Sequence, residues 1–241
     1  PGWHIECTAM SLELLDERID LHIGGIDLRF PHHENERAQS NSMVGHEAVK
    51  MWVHGEHLLF EGRKMSKSAG NVLLVKDLEE RGLDPLALRL SLLENRYRSQ
   101  MDLTWAGLEA ANLTLKRWRT NMASWGDELN QLQDLEVSKA FARDLDTPRA
   151  LLRLRAVEKD SSLRSEVKRS IFLYADSLLG LELGRAIEIR RLTSDQAELL
   201  QIRKQARESK NWKESDRLRD LLANTGITVS DGPDGQSWSW T

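Results

Sequence analysis

Cysteine is almost missing from this sequence: Cys7 is the one cysteine in 241 residues. No disulfide can close within the chain, and the composition fits a reducing compartment. Long apolar runs are missing too. None approaches the roughly 18 residues that would suggest a membrane span, and no signal-peptide pattern precedes the first polar segment. The expected location is cytoplasmic, with no membrane partner. An excess of positive charge is also lacking, since 34 Lys and Arg face 38 Asp and Glu, for a net charge of −4. Any nucleic-acid contact must therefore come from local basic patches. Histidine is absent after residue 57: all seven (His4, His22, His32, His33, His46, His54, His57) lie in the first 57 residues. Imidazole chemistry thus belongs to the N-terminal part. With 40% hydrophobic and 30% charged residues, the chain reads as folded and globular. Its length suits one large domain or two to three small ones. It opens Pro1-Gly2-Trp3-His4-Ile5-Glu6-Cys7 with no initiator methionine, which reads as the middle of a longer protein.

Along the chain, residues 3–7 read as a strand end or a loop leaving a strand. Leu21 to Phe30, with Gly24 and Gly25 among apolar residues, reads as strand, turn and a new element. Pro31 heads a helix at its first position. Trp52 to Phe60 is strand-like with a bend at Gly55, and Gly62 to Asn71 is a polar loop. From about residue 76 the pattern turns helical. Asp84-Pro85 starts one helix and Thr104 caps a second, whose apolar face includes Trp105, Leu108, Leu115 and Trp118. Gly126 to Asp134 reads as a polar connection. Thr147-Pro148 opens a third helix, residues 166–190 continue the pattern, and Thr193 caps another. Asp216 to Asn224 is helical and stops at Gly226. Ile227 to Val229 is a short strand, and residues 231–235 form a turn. The fold class is α/β, then all-α, then a small α+β tail.

Two constellations can carry chemistry. His32 and Glu36 are four apart, so a helix projects them from one face. With the Cys7 thiol they form most of a zinc-type donor set; the alternative is a surface His–Glu pair beside a buried cysteine. Lys64-Met65-Ser66-Lys67-Ser68 lies in a loop with Gly70 behind it. Two lysines and two hydroxyls suit a polyphosphate; the alternative is a solvated loop.

The order of these motifs resembles the cysteinyl-tRNA synthetases. Lys-Met-Ser-Lys-Ser resembles the signature loop of class I aminoacyl-tRNA synthetases. Trp3-His4-Ile5-Glu6-Cys7 and the stretch from Gly24-Gly25-Ile26-Asp27 through Pro31-His32-His33-Glu34-Asn35-Glu36 resemble the cysteine-specific member. The resemblance departs at Ile23 and Ile26, where a glycine and a small polar residue are expected. It implies a partial Rossmann-type catalytic domain over residues 1–75, a helical stem-contact region over 76–120, a helical anticodon-binding bundle over 121–190 and an anticodon-recognition domain over 191–241.

The resemblance further implies ATP-dependent conversion of cysteine to cysteinyl-adenylate and transfer of the cysteinyl group to tRNA(Cys). One Zn2+ would be held by Cys7, His32 and Glu36, with a fourth protein ligand expected upstream of residue 1, and would select the substrate thiolate. ATP would be used with Mg2+. Lys67, assisted by Lys64, would stabilise the leaving pyrophosphate, and Ser66 would share in ATP binding. Gly24, Gly25 and Asp27 would receive the nucleotide. Trp3 and His22 would line the cysteine pocket. Arg207, Trp212, Asp216 and Asp231 match anticodon-reading positions within a basic stripe that includes Arg203, Lys204, Lys210, Lys213, Arg217 and Arg219. No His-Ile-Gly-His-type motif occurs, so the chain alone is expected to be inactive in amino-acid activation, and the complete enzyme is expected to be monomeric. The alternatives are a cysteine ligase of mycothiol synthesis and a non-catalytic tRNA-binding paralogue.

Overall fold

The computed structural model of the chain describes residues 2–65, 70–126, 132–186, 192–232 and 235–240. Two compact units divide it, residues 1–187 and 188–241.

The first unit begins with helix α1, Gly2–Leu14, and not with the strand end or loop expected over residues 3–7. Trp3, Ile5 and Cys7 alternate as a strand would. However, the residues with restricted exposure are His4, Cys7, Thr8, Ser11 and Leu12, spaced as one face of a helix. That face is mainly polar, with Leu12 its one large apolar residue, so apolar periodicity does not reveal it. Thr8 fixes α1 on the next helix by donating to Gln39 Oε1 at 2.8 Å.

Strands β1 (His22–Gly25) and β2 (Trp52–Gly55) pair in parallel, with His22 opposite Trp52 and Gly24 opposite His54. Between them runs α2, Glu34–Val44. The chain is extended at Phe30 (φ −139°, ψ 132°) and turns helical from Pro31, close to the start expected from the proline. Side chains alternate across a strand, so His22, Gly24, Trp52 and His54 share one face. Ile23 points the other way and is exposed.

The strand-like stretch 52–60 divides at the bend after Gly55, giving β3 (Leu58–Phe60). Part of the expected polar loop is strand β4 (Arg63–Lys64), antiparallel to β3, and β5 (Met101–Leu103) lies parallel on the other side of β3. Glu61 (φ 50°) and Gly62 (φ 73°) are both left-handed, as a two-residue hairpin turn matching strand twist requires. The Gly62 amide donates to Asp102 at 2.9 Å, and the Trp105 amide donates to Glu61 at 2.8 Å. The turn is thereby tied to β5 and to the helix that follows it.

The helices α3 (Val75–Glu80), α4 (Pro85–Leu93), α5 (Trp105–Ser124), α6 (Leu135–Ala142), α7 (Thr147–Lys159) and α8 (Ser165–Leu179) follow. Asp84 and Thr104 cap α4 and α5 through Leu86 and Gly107 amides. Asp134 and Asp146 cap α6 and α7. The helix expected over 166–190 ends at Leu179, because Gly180 turns left-handed at φ 64°. One core joins Ala87 and Leu90 of α4, Leu115 and Trp118 of α5, Leu151 and Leu154 of α7, and Phe172 of α8. A second gathers Phe60, Leu78, Leu103 and Leu108. Residue 120, an expected domain boundary, falls inside α5, whose Leu108 serves the second core and whose Leu115 serves the first.

Arg119 is buried within this bundle. It bonds Asp84 at 2.5 Å and the Leu181 and Glu182 carbonyls at 2.9 and 3.0 Å. Burial pushes the Asp84 carboxyl up, but the Arg119 hydrogen bond, the Leu86 amide and the Arg119 and Arg185 charges outweigh it, so its pKa is lowered.

The second unit holds α9 (Ser194–Glu208), α10 (Trp212–Asn224) and the hairpin of β6 (Ile227–Gly232) with β7 (Gly235–Trp240). Thr193 caps α9 with Gln196 completing a capping box. Asn211 caps α10, which begins four residues before the expected start at Asp216. Asp231, Gly232 and Gly235, expected in a turn over 231–235, belong to the ends of β6 and β7. Leu200, Leu222, Ile227 and Val229 form the core. Among the described residues no helix is long and apolar enough to cross a membrane.

Candidate metal centre

Helix α1 lays Cys7 against the start of α2, where His32 and Glu36 stand one turn apart. The donor atoms of Cys7, His32 and Glu36 all lie within 4.8 Å of one another, and His32 and Glu36 are buried. His32 Nε2 lies 2.5 Å from Glu36 Oε1, yet that oxygen is buried and accepts no hydrogen bond. The three donor atoms therefore lie close enough together to share one ion. On its other side, His32 Nδ1 meets His4 Nδ1 at 2.6 Å. A ligating histidine is ordinarily held this way by its second nitrogen, and His4 is the partner here.

Charge points the same way. Burial, then Glu36 and Glu6, pushes the Cys7 thiol up. Burial raises Glu36 as well, against the pull of His22 and His4. A cation bound at this point would reverse both shifts. Thiolate, imidazole and carboxylate together form a zinc-type set.

A second triad shares Glu36: His22, His33 and Glu36 also lie within 4.8 Å, with His22 Nε2 at 3.5 Å from Glu36 Oε2. Trp3 sets its ring 4.3 Å from that of His32, tilted by 34°, while remaining 58% exposed. His22 stacks on Trp52 at 4.5 Å. Trp3 and His22, both expected in the cysteine pocket, thus flank the cluster from two sides.

His33 fills the space between the strands and α2. Its Nδ1 lies 2.9 Å from His54 Nε2. Burial, with His22, His54 and His32 nearby, brings its pKa down to about 4, so it is neutral at ordinary pH. Gly24 makes room for it: a Cβ there would stand 2.5 Å from His33 Cε1. A Cβ at Gly25 would stand 2.4 Å from the exposed Asp27 carboxylate. The two glycines, matched to the nucleotide, thus also clear space for two side chains of this chain. Behind His33 opens a cavity of about 510 Å³ lined by Ile26, Arg29, Arg37, Trp52, His54 and Arg98, among others. Of the two departures from the family pattern, Ile26 lines this cavity and Ile23 faces away from it.

Lys64 is exposed at the end of β4, and its carbonyl accepts from Asn71 Nδ2 at 3.1 Å. Ser66 and Lys67 lie outside the described residues.

In the second unit, the four residues matched to anticodon reading come together. Asp231 is met by Arg203 through a fork of 3.0 and 2.8 Å, by Arg207 at 3.1 Å and by Arg219 at 3.7 Å. The Arg203 hydrogen bond leads the causes that lower the Asp231 pKa, against its burial and with the Arg207 and Arg219 charges adding to the effect. The Arg207 guanidinium lies 5.3 Å from the Trp212 ring. Asp216 joins through Arg219 at 3.3 Å.

Residues 1–113 match the family model described as tRNA synthetases class I (C) catalytic domain. Residues 190–238 match the cysteinyl-tRNA ligase anticodon binding domain. The chain belongs to the cysteinyl-tRNA ligase family. A cysteine–tRNA ligase from Thermus thermophilus is 40% identical, over 99% of this chain and 55% of its own length. One from Cereibacter sphaeroides is also 40% identical, over 99% and 53%. One from Chlamydia abortus is 36% identical, over 98% and 54%. The chain spans about half the length of the curated relatives it matches. Among solved structures, a ternary complex of Agrobacterium radiobacter LeuRS with tRNA and LeuAMS aligns at 18% identity and a TM-score of 0.48. It covers 67% of this chain and 26% of that one, and no assignment rests on it.

Within this cysteinyl-tRNA ligase fold, the sequence pattern does not single out His4, His54, His33 or Arg203 as site residues. The clustering of histidines in the first 57 residues was the available signal for the first two and for His33. Arg203 was one basic residue in a stripe, and only the packing distinguishes it.

Proposed function

We propose that this chain supplies the thiol-selecting part of a cysteine–tRNA ligase catalytic domain, its signature loop and its anticodon-reading domain. The reaction is ATP-dependent activation of L-cysteine to cysteinyl-adenylate with release of pyrophosphate, then transfer to the terminal adenosine of tRNA(Cys). The observation that carries the reading is the convergence of Cys7, His32 and Glu36 around a buried carboxylate oxygen that accepts no hydrogen bond.

These three residues would hold Zn2+. When bound, the ion supplies a soft Lewis acid that accepts the cysteine thiolate and discriminates against the serine hydroxyl. His4 orients His32, so that Nε2 and not Nδ1 faces the centre. Trp3 and His22 wall the position of the amino acid. Asp27, exposed after Gly25, offers a carboxylate to a ribose diol. Lys64, at the end of β4, opens the signature motif in which Lys67 would neutralise charge developing on the pyrophosphate. ATP would come with Mg2+. Arg207, Trp212, Asp216 and Asp231 supply a ring, a cation and two carboxylates for splayed bases. The anticodon-binding match over residues 190–238 favours tRNA over the mycothiol alternative.

Elemental analysis of the purified chain tests the centre. One zinc per chain is expected, and Cys7→Ser should lower zinc affinity strongly. Cobalt substitution should give a thiolate-to-metal absorption band that Cys7→Ser abolishes. Unchanged zinc content and an unchanged cobalt spectrum in Cys7→Ser would remove the assignment.

A further inference from the structure

Arg203 is the most deeply buried cation in the C-terminal unit, with 0% exposure among the described residues. It cannot reach a phosphate from there. Both its terminal nitrogens are committed to Asp231, at 3.0 and 2.8 Å. Nη1 also donates to Gln236 Oε1 at 2.6 Å, and Gln236 Nε2 donates to the Leu200 carbonyl at 3.1 Å. Its head is therefore fixed from the α9 backbone, from β6 and from β7 together.

We propose that Arg203 is a positioning residue for base reading: its fork sets the Asp231 carboxylate, which in turn places Arg207 above Trp212. The proposal rests on the reading of this unit as the anticodon-binding part.

A carboxylate offers about four lone-pair directions. Arg203 occupies one pair from the interior. The outer side meets Arg207 at 3.1 Å and Arg219 at 3.7 Å. Both arginines are partly exposed, and Trp212 beside Arg207 is 54% exposed. Three guanidinium groups against Asp231, and Asp216 beside Arg219, leave the cluster net positive, which suits RNA. A buried ion pair is a weak source of stability compared with apolar packing. What the fork does supply is orientation, because guanidinium is planar and holds a carboxylate at two points. Lysine at 203 would keep the charge and lose that constraint.

The test uses the full chain and an anticodon stem-loop of tRNA(Cys), with three variants each carrying one changed anticodon base. Anisotropy titrations give the preference for the cognate loop, salt titrations give the nonspecific component, and circular dichroism reports folding. Arg203→Lys should lose about tenfold of the cognate preference while keeping the salt slope and the melting profile. An unchanged preference in Arg203→Lys overturns the proposal and leaves the reading of the unit intact. A wild-type chain that binds the loops without preference overturns both. If Arg203→Lys unfolds the unit, Gln236→Leu decides: it frees Arg203 on one side only and should lower the preference about two- to threefold, and no change there overturns the proposal.

Discussion

A methyl group at position 24 would collide with the imidazole of His33. It would stand 2.5 Å from Cε1, 2.9 Å from Nε2 and 3.1 Å from Leu28 Cδ1, whereas carbon atoms pack at about 3.5–4.0 Å. The ring must therefore move by about 1 Å. It has little freedom to do so, being 4% exposed, bonded to His54 at 2.9 Å and set between the rings of His22 and Trp52. Overpacking of this kind costs about 1–3 kcal/mol. Gly24 is not left-handed, so alanine brings no backbone strain. It even lowers unfolded-state entropy, worth about 0.4–1 kcal/mol in the opposite direction. The net expectation for Gly24→Ala is a loss of about 1–2 kcal/mol. Native-state hydrogen exchange of the β1 and β2 amides reads it locally, without assuming that the two units unfold together. A cycle with His33→Ala assigns the cause: in that background most of the Gly24→Ala cost should disappear, leaving only the Leu28 methyl at 3.1 Å to adjust. An equal cost in both backgrounds would refute the steric argument. Gly25→Ala is the contrast, since its Cβ meets only the end of an exposed carboxylate that can rotate away, and its cost should stay below about 1 kcal/mol.

Asp134 caps α6 and bonds Arg153 at 2.8 and 3.0 Å. Burial raises its pKa, but the Arg153 hydrogen bond, the Val137 amide, the Arg153 charge and the Glu136 amide together lower it. A folded pKa below the unfolded value means stability present above the unfolded pKa of about 4 and lost as pH falls through the folded one. Asp134→Ala should therefore cost about 1 kcal/mol at neutral pH from the cap alone. The gap from wild type in urea melts should close at low pH, and a gap that persists there would contradict the pairing. Trp118 is fully buried and its Nε1 donates to Glu158 at 3.0 Å. Trp118→Ala should cost about 3–5 kcal/mol and lower the helical melt without changing zinc content of the remaining folded protein. Gly62→Ala places a side chain at φ 73° and should cost about 1 kcal/mol, read as faster exchange of the β3–β4 amides.

Some of this was legible because the physics is local. Asp84-Pro85, Thr104 and Thr193 mark helix starts through their own side chains, and each caps the helix it heads. His32 and Glu36 share a helix face by spacing alone. Other features were not legible because their cause is distant in sequence. The inward face of α1 is mainly polar because it packs on α2 beside a cluster of donors, so its apolar pattern pointed to a strand. The Glu61-Gly62 turn depends on pairing with β5 and a bond to Asp102. Arg203 differs from its basic neighbours only because α9 rotates it onto Asp231.

By itself the sequence determined the succession of an α/β, a helical and a small α+β part, the caps of α4, α5 and α9, and the types of donor available for a metal. It also determined the family, since three motifs in order are a one-dimensional property. The tertiary structure alone decided that α1 brings Cys7 to His32 and Glu36, that His4 holds the far side of His32, and that Gly24 clears the space His33 fills. Each of these depends on distances between segments far apart in the chain, which are set by packing and pairing and carry no local signal.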